Sequence, residues 1–525
     1  MVAPLLPYDG MDMRSLIQAQ AARHAERAFL IWEPFAGVER TWTYTEFLDA
    51  VRAFAAGLHA RGLLPGARLL IHLDNCPEFL VAWLGCAWAG VVGVTSNTKL
   101  SWDELTYVAT HAKVVGAVTQ PRHVPLVEQS TDEACWIAVT DTDAGAPAAE
   151  YRRSPRVLPF NSISGEAAAL PARPHDPRAP FSVQYTSGTT ARPKAVLWTH
   201  ANALWGAEMS AAHEDLGPQD VHLVHLPLAH TNAQVYSVLA SLWGGGTLVL
   251  QPKFSASRFW PVSLKHRCTW TSLVGFCTRA LQEHPVPEHH YYRNWGMAVC
   301  APPTDAKFRV KTIGWWGMTE TITHAIAGST RLPNVSNSMG RAVPGYEVFV
   351  LDPEGRPVLP GAVGDLFIRG IPGVSLFQEY VDDPQATRAA FRNDGLFITG
   401  DRVRLGVNGE LYFADRSKDM LKVGGENVAA SEVERVILAV PGVREAAVVG
   451  RPDVALGETV VAFIIATAPA AADVTLRERT MEACRVALAS FKRPAEVRIV
   501  EEFPRSTLEK VSKAELRKML MSEQP

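Results

Sequence analysis

Between Val183 and His200 the chain reads VQYTSGTTARPKAVLWTH. A strand-like entry leads into a loop that packs three threonines, a serine and a glycine into five residues, reaches a lysine and then turns apolar again. Hydroxyls and glycine at that density do little for a hydrophobic core and suit a loop that wraps an oxygen-rich group. Thr186, Ser187, Thr189 and Thr190 offer hydroxyl donors, Gly188 lets backbone N–H groups approach closely, and Lys194 adds positive charge. Together they make a nest for phosphate. A Walker A loop is excluded, because it needs glycine immediately before Lys-Ser/Thr and this chain has Pro193-Lys194-Ala195. Taken alone, the stretch is also compatible with a polar surface turn.

Outward from this loop, helical and strand-like patterns alternate. MRSLIQAQAARH and YTEFLDAVRAFAAGLHARG have helical spacing, ARLLIHL reads as a strand, and PEFLVAWLGCAWAGVVGVTSN as a helix running into a strand. On the other side, DVHLVHLPLAH and GTLVLQPKF look like strands with a helix around AQVYSVLASLW between them, and a further strand-like piece, WTSLVGF, is followed by CTRALQEHP. This interleaving predicts an α/β fold, a large N-terminal domain with mainly parallel sheets. From GYEVFVLDPEGRPV onward the texture turns β-rich, with a hairpin centred on Asn408-Gly409. The last hundred residues alternate helix and strand in a compact α+β pattern. The expected division is therefore 1–415 and 416–525, the second a small mobile domain.

The bulk numbers fit a globular enzyme. Of 525 residues, 47% are hydrophobic and 20% charged, and 51 Lys+Arg against 54 Asp+Glu leave a net charge of −3. A general polyanion binder is normally basic, so nucleic acid is not an expected partner. Seven cysteines stand without C-x-x-C spacing, which points to buried thiols in a reducing compartment and not to a zinc site or disulfides. No signal peptide and no apolar run of membrane-spanning length is apparent, so a cytoplasmic location is expected.

Four further fragments carry chemistry. GWWGMTET (Gly314–Thr321) sets aromatic rings beside glycine, then Thr319 and Glu320. A ring can stack on a purine, a threonine can bond phosphate, and a carboxylate can ligate Mg²⁺. LFITGD ends a strand on Asp401, where a carboxylate can bond ribose hydroxyls. FADRSKDMLKVGGENV supplies Arg416, Lys418, Lys422, Gly424 and Gly425, and PRSTLEKVSK places Lys510 in a polar segment near the end.

In this order of motifs the chain resembles the adenylate-forming superfamily of acyl-CoA synthetases, adenylation domains and firefly-type luciferases, over nearly its whole length. Its segment His230–Leu273 resembles the branch containing crotonobetaine/carnitine–CoA ligases. The resemblance implies ATP, Mg²⁺ and coenzyme A as cofactors and co-substrates. It places Thr186 to Lys194 on the β- and γ-phosphates, Trp316 on adenine, Thr319 on phosphate, Glu320 on Mg²⁺, and Asp401 on ribose with Arg416 nearby. Lys418 becomes the hinge and Lys510 the catalytic lysine of the first step. Lys422, Gly424 and Gly425 line the entry of CoA. His230 closes the acyl site or gates the thiol, and Val274, Gly275, Phe276, Cys300 and Trp315 wall the acyl pocket. Relatives are commonly homodimers.

Three departures stand out. Ala191 and Ala195 occupy positions that are usually glycine. Trp316 replaces the usual tyrosine, and the chain is short between CAPPTDAKFRV and KTIGWWGMTE. The apolar walls point to a hydrophobic acid, aromatic, alicyclic or fatty, in preference to carnitine. The alternatives are a carnitine-type CoA ligase, an enzyme that loads a carrier protein, and, outside enzymes, a nucleotide-binding regulator. The regulator predicts erosion at Glu320, Asp401 or Lys510, and all three residues are intact.

Overall fold

The computed structural model describes residues 7–186, 193–416, 420–467, 475–504, 511 and 513–522. Local signals set the first elements. The Thr43 hydroxyl accepts from the Glu46 N–H while the Glu46 carboxylate accepts from the Thr43 N–H, and this capping box opens helix Tyr44–Ala60. Phe47, Val51, Phe54 and Leu58 recur at helical spacing and are all buried. Burying each contributes about 1.5–3 kcal/mol. The helix ends at Arg61, followed by Gly62 in the left-handed region at φ +77°.

Among the described residues the strands form four sheets. In the first, Pro180–Thr186, Val92–Thr95, Arg68–His72, Gly116–Thr119, Trp136–Val139 and Val157–Pro159 run parallel in that spatial order. Its inner strands VGVT and GAVT are buried throughout, as expected where helices cover both faces. Lys194–Thr199 folds back antiparallel on Pro180–Thr186 and sets Thr186 opposite Lys194, so the opening stretch is two arms of a hairpin. The second sheet is parallel through Lys311–Trp316, Asn294–Met297, Trp270–Ser272, Val221–Val224, Thr247–Leu250 and Ala28–Trp32, and antiparallel at both margins.

The β-rich texture is an antiparallel sheet of Glu347–Leu351, Val363–Arg369, Phe397–Leu405 and Leu411–Arg416. The hairpin at Asn408-Gly409 is present, with a five-residue loop between Leu405 and Leu411. The last sheet combines Met420–Val423, Glu426–Ala429, Val443–Asp453, Gly457–Ala466 and Glu496–Ile499. Side chains from Leu421 onward pack into two apolar clusters of their own, separate from the main core.

Two local expectations are corrected. AQVYSVLASLW is not a plain α-helix: Asn232–Leu239 is a π-helix that continues as α from Ala240 to Gly244. That widened segment carries Gln234, wholly buried, whose side-chain oxygen accepts from Gln184 at 2.8 Å and whose amide donates to Thr95 at 3.3 Å. WTSLVGF is strand only as far as Ser272, and Gly275 already begins helix Gly275–Gln282. Among the described residues, no helix is long and apolar enough to cross a membrane.

Candidate active site

The carboxyl ends of parallel strands from both sheets open onto one cavity of about 1730 Å³. Its lining takes 73–75 after Arg68–His72, 97–99 after Val92–Thr95, 225–228 after Val221–Val224 and 273–276 after Trp270–Ser272. Residues 298–299, after Asn294–Met297, and 315–320, at and beyond the end of Lys311–Trp316, extend it. Parallel α/β sheets present ligand sites at this edge because the connecting loops diverge there.

One half of the cavity is polar and tightly bonded. Glu320, 5% exposed, accepts from the Tyr380 hydroxyl at 2.9 Å. Burial holds its carboxyl above the ordinary range, partly countered by the Tyr380 bond and the Lys194 charge. The Lys194 ammonium lies 4.3 Å from the centre of the Tyr380 ring, so Lys194, Tyr380 and Glu320 form a chain of cation, ring and carboxylate. Thr319 accepts from the Thr231 hydroxyl at 3.2 Å, and its backbone carbonyl accepts from the Trp198 indole at 2.9 Å. The Trp316 indole N–H donates to Asp401 Oδ2 at 2.9 Å. A tyrosine at 316 has no ring N–H to make that bond.

The other half is apolar. Trp315 lies across Gly296 of the adjacent strand, where an added Cβ would stand 1.6 Å from the indole. Glycine at 296 is therefore what admits the ring. Behind it Trp315 stacks on His324, with ring centroids 4.5 Å apart, and on Trp270 at 6.3 Å. Tyr236 meets its edge at 5.5 Å. Leu226, Phe254, Val274, Phe276 and Met339 continue the wall. His225 also lines it, and burial pushes its imidazole down to about 3, so it is neutral. Cys300 is a correction. It is fully buried behind the lining, and its Sγ accepts from the Gly314 N–H at 3.1 Å, because residues 298–299 turn the chain away from the cavity first.

The C-terminal unit closes the mouth. Gly424 and Gly425 both adopt positive φ, at +59° and +88°, and carry the tight turn between Met420–Val423 and Glu426–Ala429. This turn, with Lys422, lines the cavity beside Phe276 and Val274. Glu426 is almost fully buried there. It accepts from Asn97 at 3.2 Å and Lys99 at 3.2 Å, and pairs with His230 Nε2 at 3.0 Å. Burial would raise this carboxyl, but His230 and Lys99 outweigh it and hold it far below the usual range.

The sequence-derived residues Thr186, Lys194, His230, Val274, Gly275, Phe276, Trp315, Trp316, Thr319, Glu320, Asp401, Lys422, Gly424 and Gly425 thus share one cavity. Arg416 stands opposite Asp401 in strand register. Ser187, Gly188, Thr189, Thr190, Lys418 and Lys510 lie outside the described residues. Tyr380, Tyr236, Asn97, Lys99 and Glu426 escaped the sequence reading. For Glu426 a signal existed, a charged residue directly after Gly424-Gly425, while Tyr380 sits in a segment with no motif.

Comparison with known proteins gives two family models in chain order: AMP-binding enzyme over residues 17–381, and AMP-binding enzyme C-terminal domain over 432–510. A crotonobetaine/carnitine–CoA ligase of Escherichia coli is 30% identical over 524 residues, covering 97% of this chain and 99% of its own length. A solved o-succinylbenzoate CoA synthetase from Bacillus subtilis, bound with its product analogue, superposes with a TM-score of 0.79 at 26% identity, covering 96% of this chain and 98% of that one. A benzoate CoA ligase from Burkholderia xenovorans gives 0.68 at 25%, covering 97% and 100%. Since the first family model alone accounts for more than half of its length, this chain belongs to the AMP-binding enzymes.

Proposed function

We propose that this enzyme joins an apolar carboxylic acid to coenzyme A in two steps at the one cavity. In the first, the carboxylate oxygen attacks the α-phosphorus of ATP, the bond to the β-phosphate oxygen breaks, and pyrophosphate leaves an acyl-adenylate. In the second, the CoA sulfur attacks the acyl carbon, AMP departs with the carboxyl oxygen, and the thiol proton is released. Both reactants of the first step are anions, so positioning and charge neutralisation carry the catalysis.

The observation that carries this reading is the meeting of the polar half, the apolar half and the glycine turn of the C-terminal unit around one space. The loop from Thr186 to Lys194 holds the departing phosphates, with Lys194 steadied over Tyr380. Trp316 stacks adenine and at its edge bonds Asp401, which holds the ribose together with Arg416. Mg²⁺ fits Glu320: it takes oxygen ligands and needs only one or two carboxylates besides phosphate, and here a buried carboxylate stands beside Tyr380, over whose ring Lys194 lies. When bound, the ion neutralises phosphate charge. Lys510 serves the first step. Rotation about Lys418 then brings Gly424 and Gly425 to the mouth for the thiol, where His230 and Glu426 close the pocket. The functional division falls at 415/416, and a ligase dependent on ATP and CoA is placed in the cytoplasm.

The acid is assigned from the wall of Trp315, Tyr236, Val274, Phe276 and Met339. Glu214, behind this wall, lies wholly buried 3.9 Å from His324 and off the lining, and Glu426 at the mouth is already engaged by His230 and Lys99. The test is pyrophosphate release with ATP and Mg²⁺ against a panel of aromatic, alicyclic, fatty and quaternary-ammonium acids, with and without CoA, alongside Lys510→Ala. Apolar acids should release pyrophosphate and form thioester only with CoA, and the variant should lose at least about 100-fold, on the order of a removed transition-state donor. Preference for carnitine or crotonobetaine would replace the acid assignment. Pyrophosphate without thioester would move the acceptor to a carrier protein.

A further inference from the structure

The C-terminal unit meets the rest of the chain at a second point, off the cavity. Glu104 of helix Trp102–His111 is 6% exposed, Lys492 4% and Glu432 3%. The Lys492 ammonium donates to Glu104 Oε1 at 2.5 Å and to Glu432 Oε1 at 2.9 Å. The second Glu104 oxygen accepts from the Ala489 N–H at 3.1 Å, and the Ser101 hydroxyl donates to the Ala487 carbonyl at 3.0 Å. Lys492 and Glu432 come from the same unit and satisfy each other there. Glu104 is the member that docking adds.

Burial would raise the Glu104 carboxyl, yet Lys492 and Ser101 hold it below the usual range, while burial and the neighbouring Glu104 charge hold Glu432 above it. A few residues before Glu104, Asn97 and Lys99 bond Glu426 at the cavity mouth. One short stretch, 97–104, thus grips the C-terminal unit twice, once at the glycine turn and once at the 487–492 segment. The second grip is almost fully buried, so losing the Glu104 carboxylate weakens docking by one buried ion pair, while Lys492 keeps Glu432 and each unit keeps its own fold.

We propose that Glu104 is the positioning residue that docks the C-terminal unit with Gly424, Gly425 and Glu426 over the cavity, and that acyl transfer to CoA depends on it while acyl-adenylate formation does not. The proposal rests on the acid–CoA ligase reading. Glu104→Gln keeps the side chain's shape and its bond to the Ser101 N–H, and leaves Lys492 paired with Glu432. It should slow thioester formation from preformed adenylate, or raise the KM for CoA, by about tenfold or more. Acid-dependent ATP–pyrophosphate exchange should stay within about twofold, at an unchanged melting temperature. Glu104→Lys, which faces Lys492 with like charge, should do worse. Adding Lys492→Glu to that variant should restore part of the loss, because the ammonium introduced at position 104 would then bridge two carboxylates; a defect in capping helix Trp102–His111 would not respond to residue 492. Wild-type thioester rates in both single variants overturn the proposal, as does a parallel fall of both half-reactions. If the wild-type enzyme exchanges pyrophosphate with no acid and forms no thioester, the ligase reading falls and takes the proposal with it.

Discussion

In the polar half of the cavity, Tyr380 with Glu320 and Trp316 with Asp401 are joined by hydrogen bonds of 2.9 Å, whereas in the apolar half Trp315, Tyr236, His324 and Trp270 meet through ring faces and edges at 4.0 to 6.3 Å. The polar half is fixed by donors and acceptors that only certain residues supply, so it suits a ligand that never changes. The apolar half is fixed by shape. It can be recut by changing volume alone, which is what a site for one acid among many requires.

That contrast can be broken at either side. The largest effect is expected at Glu320→Gln, which keeps the shape and the Tyr380 bond but removes the charge. It should lower acid-dependent pyrophosphate release by about 100-fold or more, equally for every acid. An acid-selective loss would erase the distinction between the halves.

Gly296→Val is the converse. The new side chain displaces Trp315, and the preference among acids of different size should move by about 10- to 200-fold, the range for adding or removing a methylene-sized volume. The KM for ATP should stay within about twofold. Steady-state kinetics with three acids of graded size checks both parts.

Trp316→Phe tests the finest joint of the polar half, because it retains a ring for stacking and deletes the N–H held by Asp401. Loss of a hydrogen bond to a carboxylate of about 1.5 kcal/mol predicts a rise of roughly tenfold in the KM for ATP, with acid preference unchanged.

The smallest effect is one of stability. His222 is buried behind the apolar half, stacked on Trp270, and burial pushes its imidazole down to about 3 from an ordinary 6.5. It stays neutral in the fold but takes up a proton on unfolding below pH 6.5, so its contribution to stability is full above 6.5 and shrinks as pH falls toward 3. His222→Phe removes this penalty of about 1.4 kcal/mol per pH unit. The difference in melting temperature between variant and wild type should drift in the variant's favour from about pH 7.5 to pH 5, and a constant difference would refute it.

The two halves also differ in how far the sequence revealed them. The polar half is spelled in contiguous motifs, because donors and acceptors for an oxygen-rich ligand must be particular atoms at short range. Glu320 and Asp401 could therefore be named from GWWGMTET and LFITGD alone. Tyr380 could not, since it reaches Glu320 across sixty residues and its own segment has no pattern. In the apolar half, Val274, Phe276 and Trp315 were legible and Cys300 was misplaced, because which side of a strand end faces the cavity depends on a turn that periodicity does not encode. The parallel sheets followed from alternation of helix and strand, while the π-helix at Asn232–Leu239 did not, since its apolar spacing over eight residues differs little from that of an α-helix.

Gly296 gives the apolar half an unusual genetic position. The residue that admits the ring of the pocket wall is an absence, itself off the lining. Each replacement there adds bulk that the indole of Trp315 must vacate, so drift at a single silent-looking codon would redirect the enzyme to other acids while every residue of its motifs remained in place. Chains that share all the motifs of this one can therefore part company in substrate at a position no motif search inspects.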